Sequence, residues 1–146
     1  SPAITTIIKM VESLPDELQE QVVEHVRAYL AELEEEKLWA TSFKRTENNL
    51  VAAARKAKAE IAAGLSSPMD YEQLCSPGVR TGARKAYQLW AENPFHPSLH
   101  FKCINNKEDI WSVRVTRSHR ALGVMSGDTV TWFWIGNHDE YEAFYS

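Results

Sequence analysis

The sequence is poor in cysteine and lacks long apolar runs, and both shortages limit the kind of protein that it encodes. Two cysteines, Cys75 and Cys103, are too few for a disulfide framework, and they do not form a Cys-x-x-Cys motif. No apolar run approaches the roughly 18–20 residues that a membrane-spanning helix needs. The N-terminus also lacks the basic-then-apolar pattern of a secretory signal. These shortages favour a reduced, cytoplasmic protein.

A strong excess of one charge is also lacking, since the 146 residues carry a net charge of −4. The distribution is uneven, however. Residues 1–74 hold 8 Lys/Arg against 13 Asp/Glu, a net −5, whereas residues 75–146 hold 8 against 7, a net +1. At this length the chain forms one ordinary domain or two small ones. We interpret the asymmetry as two units with complementary surfaces.

The first half is patterned as helices. Isoleucine and valine at helical spacing predict a short helix over residues 3–12. Ser13, Pro15 and the acids after them predict the start of a second helix that runs to about residues 39–43. A helix this long with one apolar stripe needs a partner, so we predict a homodimer. The predicted antitoxin-type dimer interface consists of Leu18, Val22, Val26, Leu30 and Leu33.

Two further helices are predicted before any strand. The Ala-rich helix Leu50–Ala63 ends at Gly64 and has few large apolar residues of its own, so it needs another surface to lie on. Leu65–Pro68 is the best linker candidate, and the helix Val79–Glu92 ends at Asn93-Pro94.

The second half changes to the two-residue period of strands. A strand near Leu99–Ile104 is followed by strands at Ile110–Val115, Ala121–Met125 and Val130–Ile135, and a closing helix begins near Asp139. We therefore predict an α+β fold, an all-helical unit followed by helices packed on a three- to four-stranded antiparallel sheet.

Two tryptophans in the last predicted strand lead to a prediction about which sheet face their side chains occupy. Trp132 and Trp134 alternate with Phe133, so we expect both indoles on one sheet face, packed against the helix Val79–Glu92.

Basic residues are concentrated in these strands beyond what packing requires: Arg114, Arg117, His119, Arg120 and His138. Arginine and histidine donate charge-assisted hydrogen bonds to phosphate oxygens, so this surface suits a phosphate-rich ligand. Arg114 and Arg120 lie on or beside adjacent strands and can bracket one phosphate. Histidine titrates near neutrality and is suited to proton transfer.

The same stretch resembles the RelE/ParE superfamily of bacterial toxins. The resemblance rests on Asn93-Pro94, on a Leu-x-x-Lys strand that ends at Lys102, on the arginine-bounded strands, and on the closing Gly136, His138 and Tyr141. Family toxins normally begin with a further helix upstream of the segment that starts at Ser76, so this chain resembles a toxin whose N-terminal element is missing.

The first half is similar to the small antitoxins encoded beside such toxins. The resemblance rests on Leu14–Leu18 opening a long helix, on the Ala/Lys-rich helix, and on the tail of residues 68–74. Together the two resemblances imply a fused toxin–antitoxin pair, with an antitoxin-like unit at 1–74 and a toxin-like unit at 75–146. The antitoxin half is expected to cover the toxin half, in cis or by exchange between two chains.

The resemblance implies an mRNA endonuclease that acts at the ribosome and uses the 2′-hydroxyl of its substrate as nucleophile, without metal or cofactor. The predicted catalytic residues are Arg114, His119, Arg120, His138 and Tyr141, and the predicted RNA-binding residues are Lys102 and Arg117. His96 and His100 could suggest a metal site together with His119, but no helix carrying the His-x-x-x-His spacing and no carboxylate at suitable spacing supports one. The alternatives are a ParE-like toxin that blocks DNA gyrase by binding, and a catalytically silent fusion that acts as a binding or regulatory protein.

Overall fold

The computed structural model describes residues 1–68, 70–71 and 76–146. The chain divides into two compact units, Ser1–Leu38 and Trp39–Ser146, and one long helix continues across the division. In the part of the chain that the structure describes, no helix is long and apolar enough to cross a membrane.

The first unit consists of helix α1, Pro2–Glu12, and most of helix α2, Asp16–Arg45, as the apolar periodicity predicted. No residue of α1 is buried. The stripe predicted to form a dimer is largely exposed in the single chain: Leu18 is 42 % exposed, Leu30 53 % and Leu33 39 %. The dimer itself stays a prediction.

The second unit is an α+β domain, which confirms the predicted fold class. Its sheet is antiparallel with strands in the order β1-β2-β3-β4. Its elements after the end of α2 are α3 Glu47–Ala62, α4 Pro77–Glu92, a 3-10 turn Pro97–Leu99, β1 Lys102–Asn105, β2 Ile110–Arg114, β3 His119–Ser126, β4 Thr129–Asn137 and α5 His138–Tyr145. The strand predicted from Leu99 begins only at Lys102, because the 3-10 turn takes up the residues before it.

One sheet face, here called the α3 face, is covered by the last turns of α2 together with α3 and α5. Leu50, Ala54 and Ala57 of α3 pack with apolar side chains of β2 and β3. Each large side chain buried in this way contributes about 1.5–3 kcal/mol. The expectation that the Ala-rich helix needs another surface is confirmed. The other members of this core are Trp39, Phe43, Ile110, Leu122, Val124, Tyr141 and Tyr145.

The opposite sheet face, here called the α4 face, packs against helix α4. Ala86 is buried there with Val113 and Ala121 of the sheet. The Trp90 ring meets the rings of Phe101 and Trp132 edge-on, with centroids 5.8 and 6.4 Å away. The sheet is therefore buried on both sides, and each face belongs to a separate core.

A bulge in β4 corrects the predicted facing of the two tryptophans. Leu122 pairs with Trp134 and Gly123 pairs with Trp132, so Phe133 is an extra residue opposite the Leu122–Gly123 step. An extra residue reverses the alternation of side chains beyond it. Trp132 therefore packs in the α4-face core, whereas Trp134 packs in the α3-face core.

The predicted domain boundary after residue 74 falls on residues 72–75, which lie outside the described residues together with Met69. The predicted junction to a shortened toxin falls there too. Helix α3, which the sequence assigned to the antitoxin-like half, packs in the same compact unit as the sheet. The division at residue 74 thus stays a prediction, and compactness divides the chain between Leu38 and Trp39 instead.

Candidate functional site

Two of the predicted catalytic arginines lie side by side on the α3 face. Arg114 of β2 is directly opposite Arg120 of β3, and Gly136 of β4 follows in the same row. Arg120 is only 2 % exposed. Its guanidinium carbon lies 5.9 Å from the centroid of the Trp39 ring, a cation–π arrangement that places an indole over a candidate phosphate-binding group.

His138 lies on the same side of the sheet, at the first residue of α5. A capping box between Asn137 and Glu140 fixes the start of this helix. The His138 ring meets the Trp39 ring edge-on at 5.3 Å, and its Nε2 atom lies 2.7 Å from the Ser42 hydroxyl. The Trp39 indole therefore contacts both His138 and Arg120.

Glu142, one turn after His138, completes this arrangement. Ser42 donates its hydroxyl proton to Oε1 of Glu142, and Arg45 donates to Oε2. These hydrogen bonds, the Ser42 bond first, followed by those from Arg45 and Ser146, lower the pKa of the Glu142 carboxyl to about 2. Because the single Ser42 proton goes to Glu142, the bonding pattern assigns a proton to His138 Nε2, which donates to the Ser42 oxygen.

Tyr141 is fully buried and bonded to the same helix end. Thr46 donates its hydroxyl proton to the Ser42 carbonyl at 2.7 Å, so the Tyr141 phenol is the donor to Thr46 Oγ1, also at 2.7 Å. Burial raises the pKa of the Tyr141 phenol above its ordinary value of 10.0 and keeps it protonated.

These contacts form a polar seam between two helical segments, which we call the clasp. Asn49 extends it by donating to the Tyr145 carbonyl at 2.7 Å. The residues from α5 recur at three- and four-residue spacing, which places them on one face of that helix. Their partners come from the end of α2, from Thr46 and from the first turn of α3. The clasp consists of Ser42, Arg45, Thr46 and Asn49 on one side and His138, Tyr141, Glu142 and Tyr145 on the other.

Helix α3 is also held to the sheet by charge. Arg55 and Lys58 both bond to the carboxylate of Glu108, in the turn between β1 and β2, at 3.1 and 2.9 Å. The Lys58 bond first, and then the Arg55 bond, lower the pKa of Glu108. Partly exposed ion pairs of this kind contribute little stability and mainly fix orientation.

Three predicted site residues lie away from the clasp. His119 precedes Arg120 on β3, so side-chain alternation directs it toward the α4 face. Its Nδ1 atom lies 3.0 Å from the Thr116 hydroxyl, and its Nε2 atom lies 3.8 Å from Glu140. Arg117 is exposed in the turn before β3, and Lys102 is exposed on edge strand β1, opposite Ser112.

The structure thus gathers Arg114, Arg120, His138 and Tyr141 on one sheet face and separates His119 and Arg117 from them. Sequence reasoning missed Glu142, which lies one turn into the closing helix, beyond the first-turn acids Asp139 and Glu140. The four-residue spacing of His138 and Glu142 was an available signal. Ser42, Arg45 and Thr46 carried no comparable signal, because their partners lie almost a hundred residues away in the sequence.

The C-terminal region thus combines helices with a four-stranded antiparallel sheet. Residues 77–143, from the start of α4 into α5, match the family model described as the ParE-like toxin domain. No curated protein matches the chain, and no solved structure does so either. A toxin domain of the RelE/ParE superfamily is therefore supported for the C-terminal region, and the antitoxin-like nature of the first half stays a prediction.

Proposed function

We propose that this chain is a self-covered toxin, in which a RelE/ParE-type domain is held inactive by helices of the same polypeptide. The observation that carries this proposal is the occupation of the candidate site from within. Trp39 covers Arg120, Ser42 bonds to His138, and Thr46 bonds to Tyr141. A ligand that uses these three groups has to displace the end of α2 first.

The activity that fits the uncovered site best is metal-independent mRNA cleavage. In such a reaction the substrate O2′ attacks phosphorus and the bond from phosphorus to O5′ breaks, while a base takes the O2′ proton and an acid returns a proton to O5′. His138 and Tyr141 are the proton-transfer candidates on the α3 face. Arg114 and Arg120 are placed to balance the charge that develops on the phosphate.

We further propose that the first half acts as an antitoxin-like element in a cytoplasmic homodimer. The long helix supplies the interface through Leu18, Val22, Val26, Leu30 and Leu33, all of which except the partly buried Val22 are exposed in a single chain. Apolar surface of this extent is typical of protein–protein interaction sites. The covering segment can come from the same chain or, if two copies in the dimer exchange identical segments, from the second copy.

The experiment loosens the clasp and measures RNA cleavage. The double variant Ser42→Ala/Thr46→Val removes the serine and threonine hydroxyls from the clasp and leaves the predicted catalytic residues in place. We expect it to cleave ribosome-bound mRNA more than the parent does. Arg120→Ala in that background is expected to lower cleavage by about tenfold or more. Lys44→Ala, an exposed change on the same helix turn, is the control and is expected to leave the chain inactive.

The second candidate is a ParE-like toxin that blocks DNA gyrase by binding, which is equally compatible with a match to a family model described as a ParE-like toxin domain. If the loosened variant inhibited gyrase supercoiling and left mRNA intact, this candidate would replace the endonuclease. If it did neither while remaining folded, the chain would be a silent fusion with a binding or regulatory role.

A further inference from the structure

The environment of the Ser42 hydroxyl differs from that of an ordinary helix serine. The side chain is buried, and its hydroxyl bonds to an imidazole and a carboxylate at once. A serine inside a helix more often bonds back to its own backbone or faces solvent. Here the His138 Nε2–H and the Glu142 Oε1 acceptor converge on one alcohol oxygen, with the two acting atoms 3.6 Å apart.

The groups around the Ser42 hydroxyl can be compared with a bound nucleotide and its binding site. The Trp39 ring, a flat aromatic group comparable in size to a nucleobase, lies beside His138 and over Arg120. Arg114 stands directly opposite Arg120 in the sheet. The Ser42 alcohol and the Trp39 ring thus stand where a ribose hydroxyl and a base could lie. The guanidinium groups of Arg114 and Arg120, on the same sheet face, could bind the phosphate.

We propose that Glu142 and His138 form a binding subsite for a ribose hydroxyl, and that the Ser42 hydroxyl occupies this subsite in place of a substrate. Ser42 is then a pseudosubstrate, and Glu142 is a ligand-binding residue of the toxin domain. The inference rests on the proposed ribonuclease function and deepens it. An internal competitor lowers the apparent affinity for a ligand, because the ligand binds only the fraction of molecules in which the competitor is displaced.

The test measures binding and needs no cleavage. The probes are adenosine 3′-monophosphate and 2′-deoxyadenosine 3′-monophosphate, titrated into the full chain by calorimetry. In the Ser42→Ala/Thr46→Val background we expect the ribonucleotide to bind about tenfold tighter than the deoxynucleotide, because hydrogen bonds to charged groups are among the stronger ones. Adding Glu142→Gln is expected to reduce this preference to within about twofold.

A matched variant separates the hydroxyl from general loosening. Ser42→Thr/Thr46→Val keeps a hydroxyl at position 42, so it is expected to bind the ribonucleotide about tenfold more weakly than Ser42→Ala/Thr46→Val. Equal binding by these two variants would mean that Ser42 does not compete for the subsite. A Ser42→Ala/Thr46→Val chain that keeps its native tryptophan fluorescence and binds both nucleotides equally, or neither, would overturn the proposal.

The same set of proteins distinguishes this inference from the proposed function. A ribose preference without mRNA cleavage would refute the endonuclease and leave the subsite in place. Cleavage without a ribose preference would retain the endonuclease and remove the pseudosubstrate.

Discussion

The buried hydrogen bond between Thr46 and Tyr141 offers the most direct test of the clasp. Thr46→Val is nearly isosteric, but it leaves the fully buried Tyr141 hydroxyl without its acceptor. An unsatisfied buried donor costs about 1–3 kcal/mol. The Ser42 carbonyl is less affected, because it also accepts the backbone N–H of residue 46 at 3.0 Å. We therefore expect a free energy of unfolding lower by about 1–3 kcal/mol.

A double-mutant cycle isolates the contact. Tyr141→Phe removes the phenol, so a Thr46→Val change added to it leaves no orphaned donor. The double variant is expected to be more stable than the sum of the single effects by about 1 kcal/mol or more. Urea unfolding followed by tryptophan fluorescence is a suitable assay, because all five tryptophans lie in the unit Trp39–Ser146. If the stability changes of Thr46→Val and Tyr141→Phe simply added in the double variant, the Thr46–Tyr141 contact of the clasp would be refuted. Thr129→Val at the far end of β4 is the control and is expected to add to Tyr141→Phe within about 0.5 kcal/mol.

Three further outcomes are expected. Leu50→Ala, at a residue 1 % exposed, is expected to lower the free energy of unfolding by about 2–5 kcal/mol in the same urea assay, which would show that α3 belongs to the core. The pKa of Glu142 is lowered to about 2 from an ordinary value of 4.5, so its stabilising effect is present above pH 4.5 and lost as the pH falls toward 2. In urea titrations at several pH values, the parent is expected to lose about 1–2 kcal/mol of unfolding free energy through this group on acidification, and Glu142→Gln is expected to abolish that loss. The figure is reduced for solvent screening, because the Glu142 side chain is 30 % exposed. Leu30→Asp is expected to convert a dimer into a monomer in sedimentation, and a parent chain that is already monomeric at micromolar concentration would contradict the dimer.

The sequence predicted the elements well because their signals are local. Helix α3 shows how far such a signal reaches: its thin apolar face indicated that it needs a second surface, and the structure places that face on the sheet. The bulge at Phe133 was not predictable in this way, because Trp-Phe-Trp alternates equally well with or without an extra residue. Its position is set by pairing with β3, which is a property of the folded sheet.

The candidate site was predicted only in part, for similar reasons. Arg120 and His138 were recognisable from residue type and from the family resemblance. His119 and Arg120 are consecutive on β3, so their side chains face opposite sides of the sheet, as strand alternation already indicated. The catalytic role of His119 stays a prediction. Ser42 and Glu142 belong to the site only because two helices far apart in sequence meet, and no local pattern carries that information.

The packing of α3 has a consequence for how the candidate site could be uncovered. Trp39 and Phe43 near the end of α2 belong to the same core as Leu50, Ala54 and Ala57 of α3, so the segment that covers the candidate site runs directly into the helix that supports the sheet. A protease that digested α3 would expose apolar surface of the sheet and destabilise the domain. Under the proposed function, the site is therefore expected to be uncovered by a reversible displacement of the end of α2, with α3 still packed on the sheet.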